Sequence, residues 1–454
     1  MLSNKNAAVI FFFALAVRII NLFFLIPEGF DFKLEDQGIY VGLGLSMLET
    51  GNFSYNNGDG YTIETERTPL YPFFLAFVWD IAGYNPWAIV FIQSLIDSIS
   101  CVIIGLISSL FVPKAFLLGG LLSAINMNLV VSSGMILTDS LFVFLFTLFI
   151  WFSISYLNSQ KIKYLIYLSL ALSLSILTRP VAYYLIPILG FIFLWFLFLK
   201  GYSLKAIALH ILVFFLTTSI LLVHLISRNY EKFETISITS QSGVHLSGYL
   251  VPLTIHFSEG KPYLEAVDEV KEMIDNYESD RYIDKYESNP FEVSRYKSKI
   301  SITRLLEIDS TKIAYSWLLG STLNLISSGV MVMPRIRELP HRSFYKTPGE
   351  SIVKKVINFI SSADSLIYLV VVAIANIVSL FLFLIKLIGC YSLVKNPSQY
   401  KGRWVVFFIF GIIAYFLLIT GPIIGVKYTL PIESLLTVLL VIGLSRLKLF
   451  RRFF

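Results

Sequence analysis

Apolar runs of about 20 residues, each long enough to cross a hydrocarbon layer as a helix, recur along this chain between short polar turns. They fall near 7–27, 86–110, 115–133, 135–156, 163–178, 181–199, 204–226, 362–388, 403–421 and 429–446. Two longer polar stretches interrupt them. The first, 28–85, is polar up to Arg67, with a helical pattern across 36–49 and then the turn-rich NFSYNNGDG. The second, 227–361, carries most of the acidic residues and is too long and too periodic for a bare loop. Within it, PYLEAVDEVKEMIDNY and NPFEVSRYKSKISITRLLEI have the spacing of amphipathic helices. The pattern predicts an all-α polytopic membrane protein of about ten transmembrane helices with two extracytoplasmic regions. It divides into 1–226, a transmembrane module containing the outer loop 28–85; 227–361, a helical extracytoplasmic region; and 362–454, the last membrane helices.

Composition supports the membrane assignment. The chain is 56% hydrophobic and 15% charged, with mean hydropathy +0.74, whereas soluble domains are roughly 25% charged. The net charge of +6 resides largely in short loops and the tail RLKLFRRFF, so it reflects membrane orientation and not a nucleic-acid partner. Cys101 and Cys390 lie in apolar runs and read as small core hydrophobes. The stretch 7–27 lacks a small-residue cleavage site and reads as the first membrane helix. A cytoplasmic N-terminus places Lys114, Lys161, Lys163, Lys200, Lys205, Lys386, Lys395, Lys401, Arg403 and the C-terminus on the cytoplasmic side of a cell membrane. That count requires 312–333 to lie in the interface or re-enter. It leaves the basic run Arg335–Lys355 outside, where long loops are exempt from the rule.

With this topology, six polar motifs gather on the outer face: Glu35-Asp36, Arg67 in RTPLYP, Asp139 in LTDSLF, Arg179 in LTRP, Arg228-Asn229 and Lys427-Tyr428 in GVKYTLP. Each has a plain structural reading. Asp36 opens a helical stretch and would serve as an N-cap, and Glu35 beside it would be a solvated charge. Asp139 sits where a carboxylate complements a helix dipole. Arginines at membrane-helix ends act as interfacial anchors. The chemical reading is that Asp36 takes a proton from an acceptor while the guanidinium groups, with few acids beside them, hold a polyanion such as a lipid phosphate. Arg18 and Asp97 differ, because the helix rise puts each near mid-membrane. There a charge needs a partner, so they are expected to face each other or other polar groups within the bundle.

Histidine and cysteine spacings form no metal motif, and the chain contains no phosphate-binding glycine loop or dinucleotide turn. A substrate delivered through the membrane fits better than a soluble nucleotide. No cofactor is expected, with a divalent cation left open.

The ordered motifs D-x-x-x-Y (Asp36, Tyr40), R-x-P-x-Y-P (Arg67, Tyr71), T-D-x-x-F, T-R-P, R-N-Y-x-x-F and K-Y-x-L-P-I together resemble the GT-C glycosyltransferases. The resemblance is to the branch containing aminoarabinose lipid A transferases and protein O-mannosyltransferases. It implies a polyprenyl-phosphate sugar donor and a lipid, glycan or protein acceptor at the outer face. It further implies Asp36 as general base; Arg67, Arg179, Arg228, Lys427 and Tyr428 at the donor phosphate; and Glu35, Tyr40, Tyr71 and Asp139 in support. The sequence departs from the branch where Gln37 follows Asp36, where Lys427 stands in place of a common arginine, and in lacking a tryptophan-rich oligosaccharyltransferase signature. One displacement at the anomeric carbon, without a metal, would invert it. A lipid-linked sugar flippase and a glycan polymerase are the rivals. The flippase predicts charges spread through the membrane depth and repeated halves.

Overall fold

The computed structural model describes residues 4–25, 29–30, 32, 36–56, 58, 60–284, 288–341, 347 and 352–448. Glu35 lies outside them. The chain forms two compact units, one of 1–238, 384–414 and 430–454, the other of 239–383 and 415–429. The C-terminal helices are therefore divided between the units.

The first unit begins with α1 (Asn4–Leu25), α2 (Gln37–Thr50), a hairpin of β1 (Ser54–Asn56) and β2 (Tyr61–Ile63), and α3 (Leu70–Ala82). The strands pair antiparallel with Ser54 opposite Ile63. They are the only strands among the described residues. There follow α4 (Pro86–Phe111), α5 (Phe116–Ala124), α6 (Met127–Ser133), α7 (Asp139–Ser159), α8 (Ile162–Thr178), α9 (Leu185–Leu199) and α10 (Leu204–Phe233). The second unit holds α11 (Gln241–His245), running into a π-helical turn at Leu246–Leu250, then α12 (Val251–Glu259), α13 (Tyr263–Asp280), α14 (Pro290–Leu306) and α15 (Ser310–Ile326). After these come α16 (Pro334–Arg337), α17 (Ile352–Ser361), α18 (Leu366–Lys395), α19 (Arg403–Thr420) and α20 (Glu433–Arg446). Of these, α18 and α19 contribute to both units, and α20 belongs to the first.

Among the described residues, seven helices are long and apolar enough to span a membrane, and α5 with α6 would form an eighth, bent by 56°. The two remaining runs of the ten are helical but shorter. Helix α8 has 17 residues, about 25 Å at 1.5 Å per residue, a little short of a 30 Å core. The run 429–446 opens with a 3-10 turn at Leu430–Ile432, containing Pro431, and leaves α20 only 14 residues long. Asn126 makes the bend between α5 and α6 by capping α6, its side chain accepting the Asn128 N–H at 2.9 Å. The segment 312–333 is α15 followed by a 3-10 turn at Gly329–Val332.

Small residues let membrane helices touch where lipid supplies no hydrophobic driving force. A Cβ on Gly389 of α18 would lie 2.0 Å from the Leu439 carbonyl oxygen, and one on Gly443 of α20 would lie 2.1 Å from that of Ile385. In the second unit the amphipathic spacing of α13 is realised directly. Ala266, Val270 and Ile274 are buried at intervals of four, packing with Val251, Ile255 and Ile308.

Candidate functional site

In the first unit, several motif residues converge where helices begin or end. Asp36 occupies the N-cap position of α2, yet its side chain makes no capping hydrogen bond. It is half-exposed, with Oδ1 3.9 Å from Arg67 Nη2. Capping is thus not what this carboxylate does. Arg67 lies in a turn that Glu64 organises, Oε1 accepting the backbone N–H groups of Glu66 at 2.6 Å and Arg67 at 2.9 Å. The Arg67 guanidinium also donates to Glu66 Oε2 at 2.9 Å.

Asp139 opens α7 and is almost completely buried. Arg179, in the extended conformation expected before Pro180, donates to its carboxylate. The Arg179 guanidinium also lies over the Phe142 ring, 5.8 Å from its centroid. Arg228 donates to the Glu64 carbonyl at 3.0 Å and to Asn229 Oδ1 at 3.0 and 2.7 Å, and lies 5.4 Å from the Phe53 ring centroid. Its hydrogen-bond partners are neutral oxygens.

Tyr40 is at the focus of the cluster. Burial raises its phenol above the ordinary value; Arg179 and Arg67 oppose the shift, and Asp36 and Asp139 add to it. The hydroxyl is therefore neutral, a potential donor amid two cations and two carboxylates. Its ring meets Tyr71 edge-on at 5.3 Å. The Tyr71 hydroxyl donates to Gln93 Oε1 at 2.6 Å, and Gln93 Nε2 donates to the Ser133 and Met135 carbonyls at 3.2 and 2.7 Å. Gln37 Oε1 accepts the Ile136 N–H at 2.8 Å. These two glutamines tie α2, α3 and α4 to the segment that delivers Asp139.

The expectation of few compensating acids is corrected. Asp36, Glu64, Glu66 and Asp139 accompany Arg67, Arg179 and Arg228, because backbone turns bring acids beside the arginines that the linear motifs list separately. Motif reading missed Glu64, Glu66 and Gln93, and noted Gln37 only as a departure from the family pattern. Gln93 had one available signal, a polar side chain inside an apolar span.

Arg18 and Asp97 form a separate, wholly buried pair, Nε donating to Oδ2 at 2.6 Å. The remaining Arg18 donors reach the Ala124 carbonyl at 2.6 Å, the Ala14 carbonyl at 3.3 Å, the Ser123 carbonyl at 3.5 Å and Cys101 Sγ at 3.2 Å. Lys427 and Tyr428 belong to the second unit, within a 3-10 turn. Lys427 Nζ lies 5.7 Å from the Tyr428 ring centroid. Helix α15 anchors the approach to this turn, Trp317 Nε1 donating to the Leu418 carbonyl at 3.0 Å and Asn324 Nδ2 to that of Ile423 at 2.7 Å. Burial, helped by the Lys427 charge, lowers the pKa of His245. Among the described residues no group of three or more His, Cys, Asp and Glu is arranged to hold a metal.

Residues 66–227 match the family model of dolichyl-phosphate-mannose-protein mannosyltransferases. This stretch includes Arg67, Tyr71, Asp139 and Arg179, begins after Asp36 and ends one residue before Arg228. Comparison with curated protein sequences gives no match. Among solved structures, the oligosaccharyltransferase AglB from Archaeoglobus fulgidus, in complex with an inhibitory peptide and a dolichol-phosphate, aligns at TM-score 0.54 and 12% identity over 99% of this chain and 51% of that one. The Archaeoglobus fulgidus oligosaccharyltransferase tethered to an acceptor peptide aligns at TM-score 0.53 and 11% identity over 97% and 49%. ArnT from Cupriavidus metallidurans, bound to undecaprenyl phosphate, aligns at 0.40 and 13% over 96% and 78%. The chain spans about half the length of the two oligosaccharyltransferases. It has the GT-C fold of membrane glycosyltransferases.

Proposed function

We propose that this GT-C membrane protein is a glycosyltransferase that moves a sugar from a polyprenyl-phosphate donor to a lipid, glycan or protein acceptor on the extracytoplasmic face of a cell membrane. The observation that carries the reading is the convergence of Asp36, Tyr40, Arg67 and Asp139–Arg179 around one phenol, from motifs far apart in the chain.

The chemistry suits these groups. The acceptor oxygen or nitrogen attacks the anomeric carbon as Asp36 takes its proton. The bond from that carbon to the phosphate oxygen breaks, and the lipid phosphate leaves with the electron pair. One displacement inverts the anomeric centre. Polyprenyl phosphate is a stable anion, so the protein must orient the acceptor, exclude water and stabilise the departing charge. Arg228 is well suited to the phosphate, because its present partners are neutral oxygens that a charged ligand would outcompete. Arg67, 3.9 Å from Asp36, is placed to orient the base. Arg179 is committed to Asp139, and this pair shapes the field around Tyr40.

The test uses purified protein in membranes with radiolabelled polyprenyl-phosphate hexose, pentose and aminosugar donors and a crude acceptor extract. Label passing to acceptor in the wild type, and lost in Asp36→Asn while donor still binds, supports the proposal. Appearance of lipid-linked sugar on the opposite leaflet, with no covalent transfer and no dependence on Asp36, overturns it in favour of a flippase.

A further inference from the structure

Tyr40 and Tyr71 meet edge-on, yet their hydroxyls are held in opposite ways. That of Tyr71 is committed to Gln93. That of Tyr40 has no hydrogen-bond partner among the described residues, and the partly buried residue leaves it open to a ligand. Polar groups drawn into a protein are nearly always hydrogen-bonded. A neutral phenol near Arg67 and Arg179, without a protein acceptor, is arranged for an acceptor that arrives with the substrate.

Helix α2 fixes where this hydroxyl can act. The Asp36 carbonyl accepts the Tyr40 N–H at 3.2 Å, so the two residues lie one turn apart on one face, their Cβ atoms about 5–6 Å from each other. Gly44, a further turn along that face, lets α2 press against α3. A Cβ there would stand 2.8 Å from Leu75 Cβ and 2.9 Å from the Trp79 ring. The Tyr40 ring is thus set before any ligand binds, with Tyr71 against it. A donor placed in advance stabilises developing charge without reorganising during the reaction. An in-line displacement needs two such partners, one for the entering group and one for the leaving oxygen. Asp36 serves the first.

We propose that the Tyr40 hydroxyl donates a hydrogen bond to the phosphate oxygen that departs from the sugar, a role that rests on the sugar-transfer reading above. The bond from the anomeric carbon to that oxygen breaks, its electron pair stays on the phosphate, and the proton of the acceptor goes to Asp36. Tyr40 keeps its own proton, because a phosphate monoester, with a second pKa of about 6, is far less basic than a phenolate at about 10. Tyr71 is then a positioning residue, its ring set against Tyr40 and its hydroxyl anchored on Gln93.

The test compares wild type and Tyr40→Phe, full-length and reconstituted in membranes, on two donors carrying the same sugar. One is a polyprenyl-phosphate sugar; the other bears fluorine on the lipid carbon next to the phosphate, which makes the phosphate leave more readily. In Tyr40→Phe, kcat is expected to fall by about 10²–10³-fold with the ordinary donor, the range for loss of one preorganised donor. Donor KM and melting temperature should hold, and the loss should be smaller with the fluorinated donor. An equal loss with both donors overturns the assignment to the leaving oxygen. A raised KM with kcat preserved overturns it in favour of a contact to the sugar made equally in the ground state. Full activity of Tyr40→Phe overturns it and leaves the transfer reading standing. A wild type that transfers no label from either donor overturns the transfer reading and this role with it.

Discussion

Arg18 with Asp97 and Arg67 with Asp36 are the same two residue types held in opposite ways. The first pair is fully buried, in direct contact at 2.6 Å, and the remaining arginine donors reach carbonyls and a thiol. The second is open to solvent on the carboxylate side and separated by 3.9 Å. A charge in hydrocarbon is tolerable only when all its hydrogen-bonding capacity is taken up, so the first pair has nothing left for a ligand. The second retains capacity. The two pairs therefore differ in degree of saturation and not in the presence of ions.

The largest expected effect tests the unsaturated side. Asp36→Asn should lower transfer by about 10²–10⁴-fold, the range for removing a general base. Thermal stability should scarcely change, because the carboxylate makes no capping bond. If transfer persists, Asp36 is not the base. Next comes the saturated side. Asp97→Ala leaves Arg18 buried without its counter-charge and should cost roughly 3–5 kcal/mol in unfolding free energy, whereas replacing both residues with apolar ones of similar volume should recover most of it. Unfolding midpoints in detergent would show this.

Arg228→Ala should weaken donor binding by about tenfold or more, as expected for loss of a charge-assisted hydrogen bond of roughly 1.5–3 kcal/mol. Titration with the donor analogue would measure it, and unchanged affinity would remove Arg228 from the phosphate. Gln93→Leu strands the Tyr71 hydroxyl and the Ser133 and Met135 carbonyls. It should cost about 1–3 kcal/mol of stability.

The smallest effect concerns pH in the second unit. The folded pKa of His245 lies below its ordinary 6.5, so unfolding takes up a proton between the two values. Its neutral form contributes stability in full above 6.5, and that contribution is lost as pH falls through the folded value. His245→Gln should flatten this acid limb in pH-dependent melting curves.

These predictions rest on features that were unevenly legible in the chain. Membrane helices were plain in the apolar runs, and the amphipathic spacing that announces α13 depends only on neighbours one turn apart. Span count was less legible. Whether α5 with α6 makes one crossing, and whether α20 completes one, depends on where backbone turns begin, and those turns arise at Asn126 and Pro431, inside runs that still read as apolar. Asp36, Arg67, Asp139 and Arg179 could be listed from motifs, because charges at membrane-helix ends are conspicuous against apolar surroundings. Glu35 lies outside the described residues.

By itself, then, the sequence determined the solvent each segment would accept and the inventory of ionisable groups, because hydrophobic periodicity and charge cost are local properties. Only the tertiary structure decided which of those groups meet. It pairs Arg179 with Asp139, forty residues apart, sets Tyr40 among four charges, and brings Glu64 and Glu66 beside arginines that looked uncompensated. It also ties Gln93 to Tyr71, making a polar residue in an apolar run part of the support beneath the site. Hydrogen bonds and ion pairs act over a few ångströms in space, and spacing along the chain does not reveal that distance until the helices have packed.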